Sequence, residues 1–140
     1  MKYILIFTLF LGVSLTASTI SAEEKIYTSV LHALFPQKRQ VRIWTDDKVK
    51  QALLKNIKGS MLVKSKKDAD ILFLYHTSNI KIDKPKFVGS YALLKHYKKD
   101  VIGGFYWQKG RPNLLFLKKN LVKNGLFVHG SLEKYVEDSF

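Results

Sequence analysis

Cysteine is absent from the sequence, so neither disulfide bonds nor thiolate metal sites can hold this chain together. Acidic residues are scarce, with 11 against 24 lysines and arginines, which gives a net charge of +13. A long hydrophobic run is also missing: the most apolar segment, Ile4 to Val13, has about half of the roughly 20 residues that a membrane-spanning helix needs. A domain of this composition must be stabilised by apolar packing, so its hydrophobic segments should be well buried.

The N-terminal residues have the pattern of a secretory signal peptide. Lys2 supplies a positive charge, Ile4 to Val13 supplies the apolar segment, and small residues lead to Ser21-Ala22, just before Glu23. We therefore expect cleavage near Ala22, which leaves residues 23–140 as a single periplasmic domain. An uncleaved membrane anchor is the alternative interpretation, whereas the missing cysteine excludes a lipid-anchored lipoprotein.

The positive charge belongs almost entirely to the predicted mature domain, which carries +12 because Lys2 is the one charged residue of the leader. Nucleic acid is not an expected partner outside the cytoplasm. Acidic partners there would be phospholipid headgroups, cell-wall polymers or an acidic protein surface. A solubilising coat of lysines explains the charge equally well. The domain has about 118 residues, enough for one core but about half of what a two-lobed solute receptor needs.

Helical and strand patterns alternate along most of the domain. Strand 71–75 is uninterrupted apolar sequence, which favours a central position in a parallel sheet. A turn at residues 109–112 separates two strands and predicts a C-terminal antiparallel hairpin. The sequence thus predicts an α/β fold, a mixed sheet flanked by helices on both faces. The remaining predicted elements are helix 24–35, strand 40–45, a helix from Asp46-Asp47 to Gly59 with Val49, Leu53 and Ile57 on its buried face, strand 61–63, strand 87–89, a helix capped by Ser90, the hairpin strands 101–108 and 113–117, helix 119–124 and a terminal helix from Ser131.

Residues able to do chemistry are present, but none forms a recognisable catalytic motif. His32, His76, His96 and His129 have no second histidine or carboxylate at metal-ligand spacing. Asp68 and Asp70 could act as paired carboxylates, although acids beside a strand more often only solvate its end. Gly103-Gly104 lacks the spacing of a phosphate-binding loop and predicts a bulge or a close backbone approach within a strand. We therefore predict no enzyme activity, no metal and no cofactor.

One stretch, Phe105 to Arg111, combines aromatic and basic residues. Strand alternation places Phe105 and Trp107 on one face and Tyr106 on the other. The predicted binding surface therefore consists of Tyr106, Lys98, Lys99, Lys109 and Arg111. Aromatic and arginine side chains dominate binding energies at interfaces, so this surface could anchor a protein, a glycan or a lipid headgroup. Complete burial of the aromatics is the alternative.

The order of elements in the C-terminal half resembles the periplasmic YfiR-like domain family. The likeness rests on Gly103-Gly104 in a strand, a hairpin with Arg111, a short helix, the step Gly125-Leu126-x-Val128 and the final Leu132-x-Lys134. The chain lacks the disulfide cysteines of typical members, so it has no thiol for redox control. The resemblance implies a non-enzymatic periplasmic regulator that binds an inner-membrane diguanylate cyclase and represses it.

Two other functions are compatible with the sequence. A small single-lobe receptor for a solute or an anionic envelope ligand would fit the same α/β pattern and the basic aromatic strand. An envelope hydrolase that uses Asp68, Asp70 or a histidine would require these groups to converge in one pocket.

Overall fold

The computed structural model describes residues 22–76 and 81–140, so of the predicted leader only Ala22 is included. Within these residues, no helix is long and apolar enough to cross a membrane. The regular elements are α1 (22–34), β1 (Val41–Thr45), α2 (Lys48–Lys55), β2 (Ser60–Leu62), a 3₁₀ turn (Lys66–Asp68), β3 (Ile71–Leu74), β4 (Lys86–Val88), α3 (Tyr91–His96), β5 (Gly103–Gln108), β6 (Arg111–Leu117), α4 (Lys118–Lys123), a second 3₁₀ helix (Gly130–Tyr135) and β7 (Val136–Glu137).

The strands form one seven-stranded sheet in the order β2-β1-β3-β4-β5-β6-β7. The first five strands of this order are mutually parallel, β5 and β6 are antiparallel, and β7 runs parallel to β6. The predicted mixed sheet and C-terminal hairpin are therefore confirmed. The order 2-1-3-4-5 belongs to the doubly wound type, in which the direction of winding reverses between β1 and β3.

Two hydrophobic clusters take alternate side chains of the same strands. Ile71 and Phe73 of β3 belong to the first cluster, and Leu72 and Leu74 belong to the second. Since successive strand residues point to opposite faces, the clusters lie on opposite sides of the sheet. Buried residues of α1, α2 and α4 join the first cluster, while those of α3 join the second. All four residues of β3 are buried, as predicted for the central strand.

The hairpin differs from its prediction in the turn. Lys109 and Gly110 alone form it, both with positive φ of 51° and 74°, which is the geometry that matches the twist of the strands. Arg111 and Pro112 are residues of β6, so the predicted four-residue turn is wrong. Gly103 pairs with Phe116 in unbroken register, and a Cβ at Gly103 would collide with the Leu115 carbonyl oxygen. The close approach is confirmed, without a bulge.

Two further predictions need correction. The predicted terminal helix is a 3₁₀ helix followed by β7, because the free edge of β6 pairs with Val136 and Glu137. The predicted second helix is right only in part: α2 ends at Lys55 rather than Gly59, and Ile57 is buried and Leu53 packs against the first cluster as predicted, but Val49 is 81% exposed and Leu54 is fully buried. Leu53 and Leu54 are adjacent, so the sequence left the buried face of this short helix ambiguous.

Candidate binding surface

The five predicted surface residues fall into two separate places. Lys98 and Lys99 lie between α3 and β5, whereas Lys109 and Arg111 lie at the opposite end of β5. β5 has six residues, so at about 3.3 Å per residue its two ends are roughly 17 Å apart. The structure therefore does not unite the four cations in one patch. Tyr106 lies in β5 between them and is partly buried.

Lys98 and Lys99 belong to a basic depression that we call the lysine groove. It consists of two adjoining cavities of about 740 and 300 Å³, which share Lys99, Asn120 and Lys123. Three aspartates, Asp83, Asp100 and Asp138, also line it. The lysines of the groove are Lys81, Lys86, Lys98, Lys99, Lys119 and Lys123. Cations outnumber acids two to one, so the groove favours an anionic partner.

Asn120 fixes the shape of the lysine groove. This residue of α4 is 4% exposed, and its Nδ2 donates hydrogen bonds to the carbonyl oxygens of Lys98 (2.8 Å) and Val101 (2.7 Å). The segment that carries Lys98 and Lys99 is therefore attached to α4. Sequence reasoning missed Asn120, because the two carbonyl groups that it binds lie 22 and 19 positions away along the chain.

Lys86 lies deepest among the cations of the groove. Its Nζ donates hydrogen bonds to the carbonyl oxygens of Ile82 (2.7 Å) and Lys84 (3.1 Å), which holds the segment before β4. Burial lowers the pKa of Lys86 from its ordinary value, although Asp100 and Asp83 oppose this effect. Lys86 thus combines a structural role with a position inside the larger cavity.

An aromatic cluster adjoins the groove. The rings of Tyr91 and Tyr106 have centroids 5.6 Å apart, and those of Tyr91 and Phe140 are 5.9 Å apart. Tyr91 and Phe140 are each 43% exposed, and Phe140 also lines the smaller cavity of the groove. We call Tyr91, Tyr106 and Phe140 the aromatic cluster. Burial raises the pKa of Tyr106 above its ordinary value, and the neighbouring Tyr91 adds to the effect.

The alternation predicted for β5 is confirmed. Phe105 is buried in the first hydrophobic cluster and contacts Trp107, with ring centroids 5.9 Å apart. Tyr106 packs against the second cluster on the other face of the sheet. Trp107 is nevertheless 53% exposed, because it lies near the end of the hairpin beyond the core.

The residues considered for catalysis are placed at opposite ends of β3. Asp70, just before β3, accepts hydrogen bonds from the Arg42 backbone N–H (2.8 Å) and from Lys38 Nζ (3.2 Å). His76, just after β3, has its Nε2 3.0 Å from a carboxylate oxygen of Asp47. Asp68 is exposed. The structure does not bring Asp68 and Asp70 together with His76.

The other histidines are distributed over different elements. His32 in α1 and His129 before the second 3₁₀ helix are exposed, whereas His96 in α3 packs its ring against Tyr97 and lines the lysine groove. In the part of the chain that the structure describes, no group of three or more metal-binding side chains could hold an ion.

The pairing of His76 with Asp47 was not apparent from sequence because it joins residues 29 positions apart. Asp47 is the N-cap of α2: it accepts a hydrogen bond from the Lys50 backbone N–H at 2.9 Å. That bond holds the pKa of Asp47 below its ordinary value, and His76 adds to the effect. Asp47 therefore stabilises a helix as well as contacting His76.

Doubly wound sheets commonly bind ligands outside the carboxyl ends of the strands where the winding reverses, here β1 and β3. The protein's own aromatic residues occupy this position. Tyr75 donates a hydrogen bond to the Tyr27 hydroxyl (2.9 Å), and a Cβ at Gly89 would collide with the Tyr75 ring. Burial raises the pKa of Tyr27 to about 12, and it also raises the pKa of Tyr75.

The fold and this surface together define a small α/β domain with a basic groove beside exposed aromatic residues. No protein-family model and no curated protein matches the chain.

Proposed function

We propose that the mature domain is a non-enzymatic periplasmic regulatory protein that binds an inner-membrane signalling protein. The contact is made by the lysine groove and the aromatic cluster. The observation that carries this proposal is that exposed Phe140, whose ring contacts Tyr91, lines the same cavity as four lysines, Lys98, Lys99, Lys119 and Lys123. Exposed aromatics next to cations are the composition of interface anchors surrounded by a charged rim.

The chemistry of the surface supports an acidic partner segment. Lysines at the rim of an interface accelerate association with a negatively charged partner, while the aromatic side chains supply apolar contact area. An acidic segment that carries one or two apolar residues would complement both parts. Asn120 supports this function because it holds the Lys98–Lys99 segment in place before any partner binds.

The resemblance to YfiR-like domains nominates the partner. On that basis it is the periplasmic part of a diguanylate cyclase, which this protein would keep inactive. A gene for a membrane protein with a GGDEF-type cyclase domain, encoded next to this one, would support the assignment.

Co-purification from cross-linked membranes tests the proposal. The wild-type chain should recover an inner-membrane protein, and deletion of its gene should raise cyclic-di-GMP. The variant Lys99→Glu with Lys123→Glu should reduce recovery about tenfold, equivalent to about 1.4 kcal/mol. The matched control, Lys109→Glu with Arg111→Glu, makes the same charge change at the other end of β5 and should retain recovery. Normal cyclic-di-GMP after deletion, with no membrane partner recovered, would contradict the proposal.

A second candidate, binding of a small anionic envelope ligand, is favoured by the 740 Å³ cavity that contains the partly buried Lys86. Thermal unfolding with inorganic phosphate or citrate distinguishes it from the first. A ligand at 100 times its Kd stabilises the folded state by about 2.7 kcal/mol. Such stabilisation in the wild type, lost in Lys99→Glu with Lys123→Glu, would favour the ligand-binding function.

A further inference from the structure

β2 forms the outer edge of the sheet and offers unpaired backbone groups. Gly59 accepts a hydrogen bond from the Val41 N–H (2.8 Å), and Val63 donates one to the Ile43 carbonyl (2.9 Å). The carbonyl group of Gly59 and the N–H of Val63 therefore both point towards β1. Because successive residues of a strand point these groups in opposite directions, the N–H and C=O of Leu62 point away from the sheet.

A groove of about 900 Å³ runs along this edge and is lined by residues of α2, of β2 and of the end of β1. We call it the edge groove. Trp44, Met61 and Val63 supply apolar lining, and Met61 is 40% exposed. Three lysines, Lys48, Lys55 and Lys64, also line it, and no acidic residue occurs among the described residues that form its wall.

The charge of the edge groove decides between possible occupants. A second copy of the chain, paired edge to edge, would bring the lysines of both edges together, and like charges in contact are destabilising. Residues 1–21 contain no aspartate or glutamate, so that segment does not complement the lysines either. Lys66 adds a further cation, with its Nζ 4.8 Å from the centre of the Trp44 ring. The complementary occupant is an acidic segment of another protein.

We propose that the edge of β2 binds an extended acidic segment of a partner protein by strand addition. The N–H and C=O of Leu62 pair with the backbone of the added strand. Successive side chains of that strand point to opposite faces of the sheet: apolar residues on the face of Trp44 and Val63 contact Met61, and carboxylates on the face of α2 contact the lysines. This interface is separate from the lysine groove, with which it shares no residue.

The test uses a synthetic peptide that alternates valine and glutamate. Its length of about eight residues lies within the usual range for a strand. At saturation, amide hydrogen exchange at Leu62 should slow at least tenfold. A valine–lysine peptide of the same length should have no effect. The variant Lys55→Glu with Lys64→Glu should weaken binding about tenfold, whereas Lys109→Glu with Arg111→Glu should change it less than twofold.

Three results would overturn the proposal. The first is a Kd for the valine–glutamate peptide weaker than about 1 mM. The second is binding that leaves exchange at Leu62 unchanged, which would place the peptide elsewhere. The third is protection of Leu62 that rises with protein concentration in the absence of peptide, which would identify a second copy as the occupant. The exchange measurement at Leu62 uses the wild-type protein. It therefore tests the proposal even if a charge variant fails to fold.

Discussion

The carboxylate of Asp46 accepts a hydrogen bond of 2.8 Å from the backbone N–H of Tyr75. Asp46 follows β1 and Tyr75 follows β3, so this contact joins the carboxyl ends of the two strands between which the winding reverses. The second carboxylate oxygen accepts a hydrogen bond from the His76 N–H at 3.1 Å. A single side chain thereby continues the β1–β3 pairing beyond the last paired residues of the ladder.

Replacement of Asp46 should therefore destabilise the fold. Asp46→Ala removes two charge-assisted hydrogen bonds, one of them to the partly buried Tyr75 N–H, and should lower the free energy of unfolding by about 2 kcal/mol. Urea denaturation followed by circular dichroism measures the change. Asp68→Ala removes an exposed carboxylate and should stay within about 0.5 kcal/mol of wild type. Equal losses for both variants would refute a specific role for Asp46.

Asp46 and Asp47 also illustrate how far the sequence alone could predict this fold. Both residues were assigned to the start of α2, and Asp47 does cap that helix. Capping depends on residues three or four positions away, so it can be recognised locally. The contact of Asp46 with Tyr75 spans 29 positions and depends on which strands are neighbours. For the same reason β7 was not predicted, since it exists only because the edge of β6 is free to pair with it.

For the candidate surface, too, the sequence predicted the local features and missed the long-range contacts. Charge pattern identified Lys98 and Lys99, and strand alternation identified Tyr106. The grouping of these residues with Lys109 and Arg111 failed, because a strand that connects residues in sequence also separates its two ends in space. Phe140 and Asn120 were missed because their importance comes from long-range contacts, 49 positions for Phe140 with Tyr91.

Asn120 provides a second prediction, which links stability to the lysine groove. Asn120→Ala leaves the carbonyl oxygens of Lys98 and Val101 without their buried donor and should lower the free energy of unfolding by about 2–3 kcal/mol. Amide exchange across residues 98–101 should accelerate. Asn124→Ala loses one bond, from its Nδ2 to the Asn120 carbonyl, and should cost about 1 kcal/mol. If Asn120→Ala left exchange in that segment unchanged, its positioning role would be disproved.

Gly103 provides a third prediction, on backbone packing within the hairpin. Gly103→Ala places a Cβ against the Leu115 carbonyl oxygen and 3.1 Å from the Phe116 Cα, so β5 or β6 must shift. The expected loss is about 3 kcal/mol, at the upper end of what core overpacking typically costs. Gly110→Ala is the control: its Cβ would meet no atom within 4 Å, and its positive φ should cost only about 1–2 kcal/mol. A smaller loss at Gly103 than at Gly110 would be inconsistent with the close approach.

Asp70 predicts how stability depends on pH. Burial raises the pKa of Asp70, but hydrogen bonds from the Arg42 backbone and from the Lys38 and Arg42 side chains outweigh that effect and hold the pKa below its ordinary value. The folded state therefore binds the proton less readily than the unfolded state, whose carboxyl titrates near about 3.9. The stabilisation is complete above this unfolded value and is lost as the pH falls through the lower folded value.

Urea unfolding between about pH 6 and pH 2 measures this loss, since the interval includes the unfolded pKa of the carboxyl. Asp70→Asn cannot ionise, so its unfolding free energy should start lower near pH 6 and decline less steeply below pH 4 than that of wild type. Asp68→Asn removes an exposed carboxyl two residues away and should follow the wild-type curve in shape. If Asp70→Asn and wild type declined with the same slope, the ion pairs at Asp70 would not be the source of the acid sensitivity. In that case Asp47, whose pKa is also lowered, would be the next group to replace.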